Sequence, residues 1–211
     1  LQFDWTVGEI IKALEAAGIY ENTMIVLTSD NGPVVDDGYA DRAVELLGDH
    51  RPWGDFRGGK YSNFEAGTRV PFIVCWPEQV KPGVSDALFS HIDMFASMEK
   101  LTGQEMSAEA GSDSHDYLTV LTGKSQKGRE YVIESSGSLS ISDGEWKYIT
   151  PNNGPAYNKL TNTELGNSKE DQLYNLREDI GEKNNLSSQY PEKVSAFKKI
   201  LEQEKQKGFL F

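Results

Sequence analysis

MIVLTSDNG, residues 24–32, decides the fold: an aliphatic, β-branched run that breaks into a polar turn at Asp30-Asn31-Gly32. Continuous apolarity, in place of alternation, marks a strand buried on both faces, the pattern typical of parallel sheets. Ahead of it, DWTVGEIIKALEAA (4–17) spaces Val7, Ile10, Ile11, Leu14 and Ala17 three to four apart, predicting an amphipathic helix that stops at Gly18. A helix followed by a buried strand is half of an α/β repeat. PFIVCWP (71–77) reads as a second buried strand, closed by Pro77. Between the two strands, residues 33–70 show no sustained period and are rich in glycine and charge, as functional loop regions are.

Further along, Ser90-His91-Ile92-Asp93 has capping-box form, and Ile92, Phe95, Met98 and Leu101 make a helical stripe ending at Gly103. Residues 104–128 are polar and read as linker or surface excursion. The character changes near Arg129. EYVIESS (130–136) and SLSISDGEWKYIT (138–150) predict short strands, with Asp143-Gly144 as a hairpin turn, and QLYNL (172–176) is a further candidate. Pro191 opens a helix with Val194, Phe197, Ile200 and Leu201 on one face, ending at Gly208. The expected fold class is α/β. Residues 1–128 hold part of a mixed, mainly parallel sheet flanked by helices, and 129–211 a small antiparallel α+β subdomain. There is no internal repeat.

Composition narrows the functions. The 211 residues carry 33 acidic and 21 basic side chains, a formal charge of −12, which opposes nucleic acid and anionic lipid as partners. Four Trp, nine Tyr and nine Phe speak for a packed core. Apolar runs are too short for a membrane span. The single cysteine rules out an internal disulfide framework and any multi-cysteine metal site. The first residue is Leu, so the start reads as artificial or internal.

Two constellations can do chemistry. Asp30 and Asn31, at the carboxyl end of a strand, offer a carboxylate and an amide oxygen, hard ligands suited to Ca²⁺ or Mg²⁺. They are too few for a Ca²⁺ shell of roughly six to eight oxygens, and Asp-Asn-Gly also makes an ordinary turn. The second is Asp49-His50-Arg51-Pro52-Trp53-Gly54-Asp55-Phe56-Arg57-Gly58-Gly59-Lys60. Over 49–70, four basic residues (Arg51, Arg57, Lys60, Arg69) face three acidic ones (Asp49, Asp55, Glu65), a local +1. Glycines beside Arg57 and Lys60 let the backbone approach an anion. The order Gly-Gly-Lys-Tyr excludes a Walker loop, and a solvated loop of paired charges remains the plain alternative.

TSDNGP (28–33) followed by RGGKYSNFEAGTRVPFIVCWP (57–77) resembles the formylglycine-dependent sulfatases of the alkaline-phosphatase superfamily. SHIDMF (90–95), DGEWKYI (143–149) and QLYNLREDIGEKNNL (172–186) extend the resemblance over nearly the whole chain. It implies that Asp30 and Asn31 are ligands of Ca²⁺, in preference to Mg²⁺, in a sulfate pocket. It makes Lys60 the catalytic lysine that binds the sulfate and neutralises charge on the leaving oxygen. Arg57 is then a loop-shaping, substrate-side arginine, and His50 a substrate-side candidate that reads equally well as a surface histidine. Ala66 departs from the family's glycine. The interval from Asp30 to Lys60 is long, implying a substrate-facing insertion over 34–47.

The same resemblance requires a nucleophile in Cys/Ser-X-Pro-X-Arg, which these residues lack. Cys75-Trp76-Pro77-Glu78-Gln79 has no arginine, and Cys75 reads as a packed strand residue. The chain is therefore expected to be the C-terminal part of a sulfatase, its α/β domain incomplete, partnered by the N-terminal part of the same enzyme and inactive alone. The implied activity is Ca²⁺-dependent hydrolysis of a sulfated carbohydrate or aryl sulfate, in the periplasm or outside the cell. The alternatives are a phosphonate or phosphate ester hydrolase of the same superfamily, or a non-catalytic sulfatase-like binding protein.

Overall fold

The computed structural model describes residues 2–105, 107 and 110–208. Leu1, where the internal start was read, and positions 106, 108 and 109 of the polar stretch lie outside the described residues. Elements follow in the order α1 (Gln2–Ala16), β1 (Ile25–Thr28), α2 (Ala43–Leu47), α3 (Glu65–Thr68), β2 (Phe72–Cys75), α4 (Asp93–Thr102) and α5 (Leu118–Leu121). After them come β3 (Val132–Ser135), β4 (Leu139–Ser142), β5 (Trp146–Ile149), β6 (Tyr157–Asn158), β7 (Thr163–Glu164), β8 (Gln172–Asn175) and α6 (Pro191–Gln206). They gather into two compact units, Leu1–Thr28 with Pro71–Gly128, and Ser29–Val70 with Arg129–Phe211.

In the first unit, α1 half-covers its stripe: Val7, Ile11 and Leu14 are partly buried while Ile10 is exposed. Gly18, at φ +68°, stops the helix. Its N–H returns to the Glu15 carbonyl at 2.9 Å and that of Ile19 to Leu14 at 3.1 Å, a Schellman ending. The two apolar runs do form strands, but β1 and β2 pair antiparallel, Ile25 opposite Cys75 and Thr28 opposite Phe72. The mainly parallel arrangement expected for this part of the chain is thus not found between the strands described. An apolar run reports how far a strand is covered, not the direction of its neighbour, and here coverage is partial, with Ile73 56 % exposed. Cys75 is half-buried, 3.7 Å from the Tyr20 hydroxyl. The capping box is half made. The Asp93 carboxylate accepts the Ser90 N–H at 3.2 Å and the His115 N–H at 3.0 Å, while the cap position itself falls on Ile92.

The second unit is built on an antiparallel sheet in the order β3-β4-β5-β8. The Asp143-Gly144 turn forms as expected, the Asp143 carboxylate accepting the N–H groups of Glu145 at 3.0 Å and Trp146 at 2.7 Å. Side chains alternate between the sheet's two faces. Ile141, Trp146, Tyr148 and Leu173 pack against Val194, Phe197 and Leu201 of α6, with Tyr148 and Phe197 stacked 6.4 Å apart. On the other face Ile149 and Tyr174 cluster with Phe64, which belongs to the loop before β2. Both faces are covered, so all four residues of β5 are buried. The sheet thereby becomes the platform for the loop that holds Phe64 and Glu65.

Candidate active site

The two motifs lie side by side, joined through their backbones. Gly32 N–H donates to the Gly67 carbonyl at 2.8 Å, and Lys60 N–H to the Pro33 carbonyl at 2.9 Å. Neither glycine face has room for a side chain. A Cβ on Gly32 would fall 1.6 Å from the Ala66 carbonyl oxygen, and one on Gly59 2.8 Å from that of Pro33. Backbone contact therefore dictates both glycines. Ala66 meets Gly32 through its carbonyl, so alanine fits where the family pattern has glycine. The long interval between the motifs leaves at Pro33, carries α2, and returns before Gly59.

Asp30 is exposed and Asn31 half-buried, on the segment fixed by Gly32. The Asn31 amide N–H donates to the Gly32 carbonyl at 2.9 Å, which leaves its oxygen as an acceptor. Among the described residues no three of His, Cys, Asp and Glu gather as a metal group. The donor set of Asp30 and Asn31 thus fits two positions of a Ca²⁺ shell, hard oxygens side by side, and by itself does not complete one. Lys60 directs its ammonium to the Asp37 carboxylate at 3.1 Å and lies 5.1 Å from the Tyr61 ring centre. The hydrogen bond to Asp37, aided by Tyr61, raises the Lys60 pKa, and Lys60 in turn lowers that of Asp37. His50 is exposed, its backbone N–H on the Leu47 carbonyl at 3.2 Å.

Arg57 is fully engaged. Its guanidinium makes a two-pronged pair with Glu164, at 2.7 and 3.1 Å, donates to the Glu182 carbonyl at 2.6 Å, and covers the Phe64 ring at 4.0 Å. Below it lies a buried charge cluster. Lys147, wholly buried, reaches Glu65 at 2.9 Å and Glu134 at 3.6 Å. The Glu65 N–H donates to Glu182 Oε2 at 2.7 Å. Burial opposes the Lys147 charge, yet Glu65, Glu134 and Glu182 outweigh it and push its pKa up. Burial likewise opposes the Glu65 carboxylate, but Lys147 and Arg69 hold its pKa below the usual value. Glu182 goes the other way: desolvation pushes it up to about 7 against the pull of Lys147. Asp37, Glu164, Lys147 and Glu182 carry no local signal in the sequence. Each meets its partner from far along the chain, Glu164 from 107 residues away.

The antiparallel sheet thus carries a glycine-stitched loop whose backbone brings the Asp30-Asn31 segment beside Lys60. The family model "Sulfatase" matches residues 1–104. The chain is 49 % identical over 204 residues to N-acetylgalactosamine-6-O-sulfatase of Bacteroides thetaiotaomicron, covering 96 % of this chain and 40 % of that protein. It is 34 % identical to human steryl-sulfatase over 73 % of this chain and 28 % of the other. A solved Bacteroides thetaiotaomicron protein from work on the metabolism of multiple glycosaminoglycans superposes with a TM-score of 0.94 at 48 % identity, over 98 % of this chain and 43 % of that one. The PsFucS1 sulfatase of Pseudoalteromonas, at 24 % identity and a TM-score of 0.69, shares the fold over 94 % of this chain and 40 % of that one. The chain belongs to the sulfatase family of the alkaline-phosphatase superfamily. It spans about two fifths of the length of its curated relative from Bacteroides thetaiotaomicron.

Proposed function

We propose that the chain is part of a Ca²⁺-dependent sulfuric ester hydrolase whose substrate is a sulfated carbohydrate, a 6-O-sulfated N-acetylhexosamine in the first instance. The observation that supports this is the backbone stitch of Gly32 to Gly67 and of Lys60 to Pro33, which joins the segment after Asp30-Asn31 to the loop of the lysine. Asp30 and Asn31 would hold the ion from one side. When bound, Ca²⁺ supplies polarisation of the sulfate oxygens, and a formylglycine on the rest of the enzyme supplies the nucleophile.

The residues in this chain bind and neutralise. Lys60, kept charged by Asp37, offers N–H donors to the sulfate and to the leaving oxygen, where negative charge grows as the S–O bond breaks. Arg57 holds the loop through Glu164 and Glu182 and acts on the site through Lys60; His50 stays a candidate contact on the substrate side. The name of the 49 % identical relative supports the carbohydrate reading. Among the described residues no helix is long and apolar enough to cross a membrane, and a periplasmic or secreted setting goes with the family.

The test is an assay of the full-length enzyme on an aryl sulfate and on 6-O-sulfated N-acetylgalactosamine, with and without a chelator. Sulfate release that the chelator abolishes and Ca²⁺ restores is expected. Release indifferent to chelation would remove the metal from the mechanism, and no release from either ester would remove the activity.

A further inference from the structure

Segment 34–47 gives the site a carboxylate, Asp37, whose only part in the hydrolysis proposed above is to keep Lys60 charged. Asp37 places one carboxylate oxygen 3.1 Å from the Lys60 ammonium and accepts the Tyr61 hydroxyl on the other, also at 3.1 Å. Tyr61 reaches it from a left-handed backbone, φ +77°, which a bulky residue keeps only where its surroundings over-determine it. One such tie is visible: the Ser136 hydroxyl donates to the Tyr61 carbonyl. The Asp37 and Lys60 side chains are 27 % and 28 % exposed, so a ligand can reach the pair. Asp37 is thus held, accessible and charged, against the one lysine expected to receive the substrate's anionic group.

We propose that Asp37 is a specificity-determining residue, a fixed negative charge beside Lys60 that admits a singly charged sulfate ester and opposes a doubly charged phosphate ester. The inference rests on the sulfatase reading. An ammonium has three donors, and one is taken by Asp37. A ligand oxygen on a second donor, at about 3 Å, would lie roughly 5 Å from the Asp37 oxygen. A sulfate monoester brings one negative charge there, whereas a phosphate monoester brings about −1.5 to −2 at neutral pH. A pocket of divalent cation and lysine would by itself favour the more highly charged ester. Asp37 is the opposing charge, and its effect grows with the charge of the ligand.

The experiment compares the full-length wild-type enzyme with Asp37→Asn and Asp37→Glu at pH 8. It reads the KM for an aryl sulfate and the inhibition constant of the matching aryl phosphate. Asp37→Asn is expected to shift the ratio of the two toward the phosphate by roughly tenfold, and Asp37→Glu to hold the wild-type ratio. An Asp37→Asn ratio that stays put, or moves toward sulfate, overturns the proposal. So does a parallel loss of both ligands, which would mark a purely structural role. Asp37→Ser is the substitute if the Asn variant fails to fold. Wild-type turnover of the aryl sulfate reports separately on the sulfatase reading. If turnover is absent, calorimetric binding of the two esters still measures the charge preference.

Discussion

Gly32 cannot accept even a methyl group, because the Cβ would stand 1.6 Å from a carbonyl oxygen of the backbone that holds the lysine loop. Gly32→Ala should therefore part the two motifs. The expected cost is on the order of 3 kcal/mol of stability, read by denaturant unfolding. The expected loss is about 100-fold in kcat/KM, since small displacements of positioned groups cost that much. Normal activity in this variant would mean the stitch does not position the site. Lys60→Ala removes a preorganised donor and should lower kcat by at least about 100-fold. Unlike Gly32→Ala, it should leave the unfolding midpoint near the wild-type value, because the pair with Asp37 is open to solvent. At this scale the motifs around Asp30, Asn31 and Lys60 stood out in the sequence by resemblance alone, and the structure adds that backbone contact leaves Gly32 and Gly59 beside them no room for a side chain. Asp37 was not, since Asp36-Asp37-Gly38 looks like any polar loop until its partner, 23 residues on, is seen.

The strand Trp146–Ile149 shows where local pattern reading stops. Alternation in a one-sided sheet would put Lys147 in water, and the sequence offers nothing to say that the second face is covered. The loop that carries Phe64 and Glu65 covers it, so Lys147 is fully buried, 2.9 Å from Glu65. The strand, the Asp143-Gly144 hairpin and the α6 stripe were all readable from period and turn chemistry. The mounting of the lysine loop on that sheet was not, because Glu65 and Lys147 lie 82 residues apart. The relative direction of β1 and β2 was hidden for a similar reason: strand pairing is a property of two segments, and each was read alone. Removing one member of a buried ion pair leaves the other charge unpaired. Lys147→Met should thus cost about 3–5 kcal/mol, measured by denaturant unfolding. Phe197→Ala, which empties the opposite face beneath Tyr148, should cost a similar 3–5 kcal/mol. The two changes differ in consequence. Only the first lies beneath the lysine loop, so only the first should lower kcat/KM under conditions where the protein is still folded.

Across the whole molecule, the same cluster sets a pH dependence that the net charge of −12 does not reveal. Most shifted carboxylates here, Asp37, Glu65, Glu164 and Asp171, have lowered pKa values. Their contribution is present above the ordinary carboxylate range and is lost as pH falls through the folded values, below about pH 4. Tyr131 and Tyr174, pushed up to about 12 mainly by desolvation, act only at high pH. Among the shifted carboxylates of the described residues, Glu182 works in the middle. Its pKa rises from 4.5 to about 7, so between those values the folded state binds a proton that the unfolded state has released. Stability from this group is then greatest below pH 4.5 and falls as pH rises to 7, by about 3 kcal/mol at 1.4 kcal/mol for each tenfold change in proton affinity. Glutamine mimics the protonated acid and can still accept the Glu65 N–H through its amide oxygen. Unfolding free energies of wild type and Glu182→Gln should therefore nearly coincide at pH 5. They should separate as pH rises, the variant becoming the more stable by up to about 3 kcal/mol at pH 8. A difference that does not vary with pH, or a variant less stable at pH 8 than at pH 5 relative to wild type, would show that Glu182 is ionised throughout and that Lys147 alone outweighs its burial.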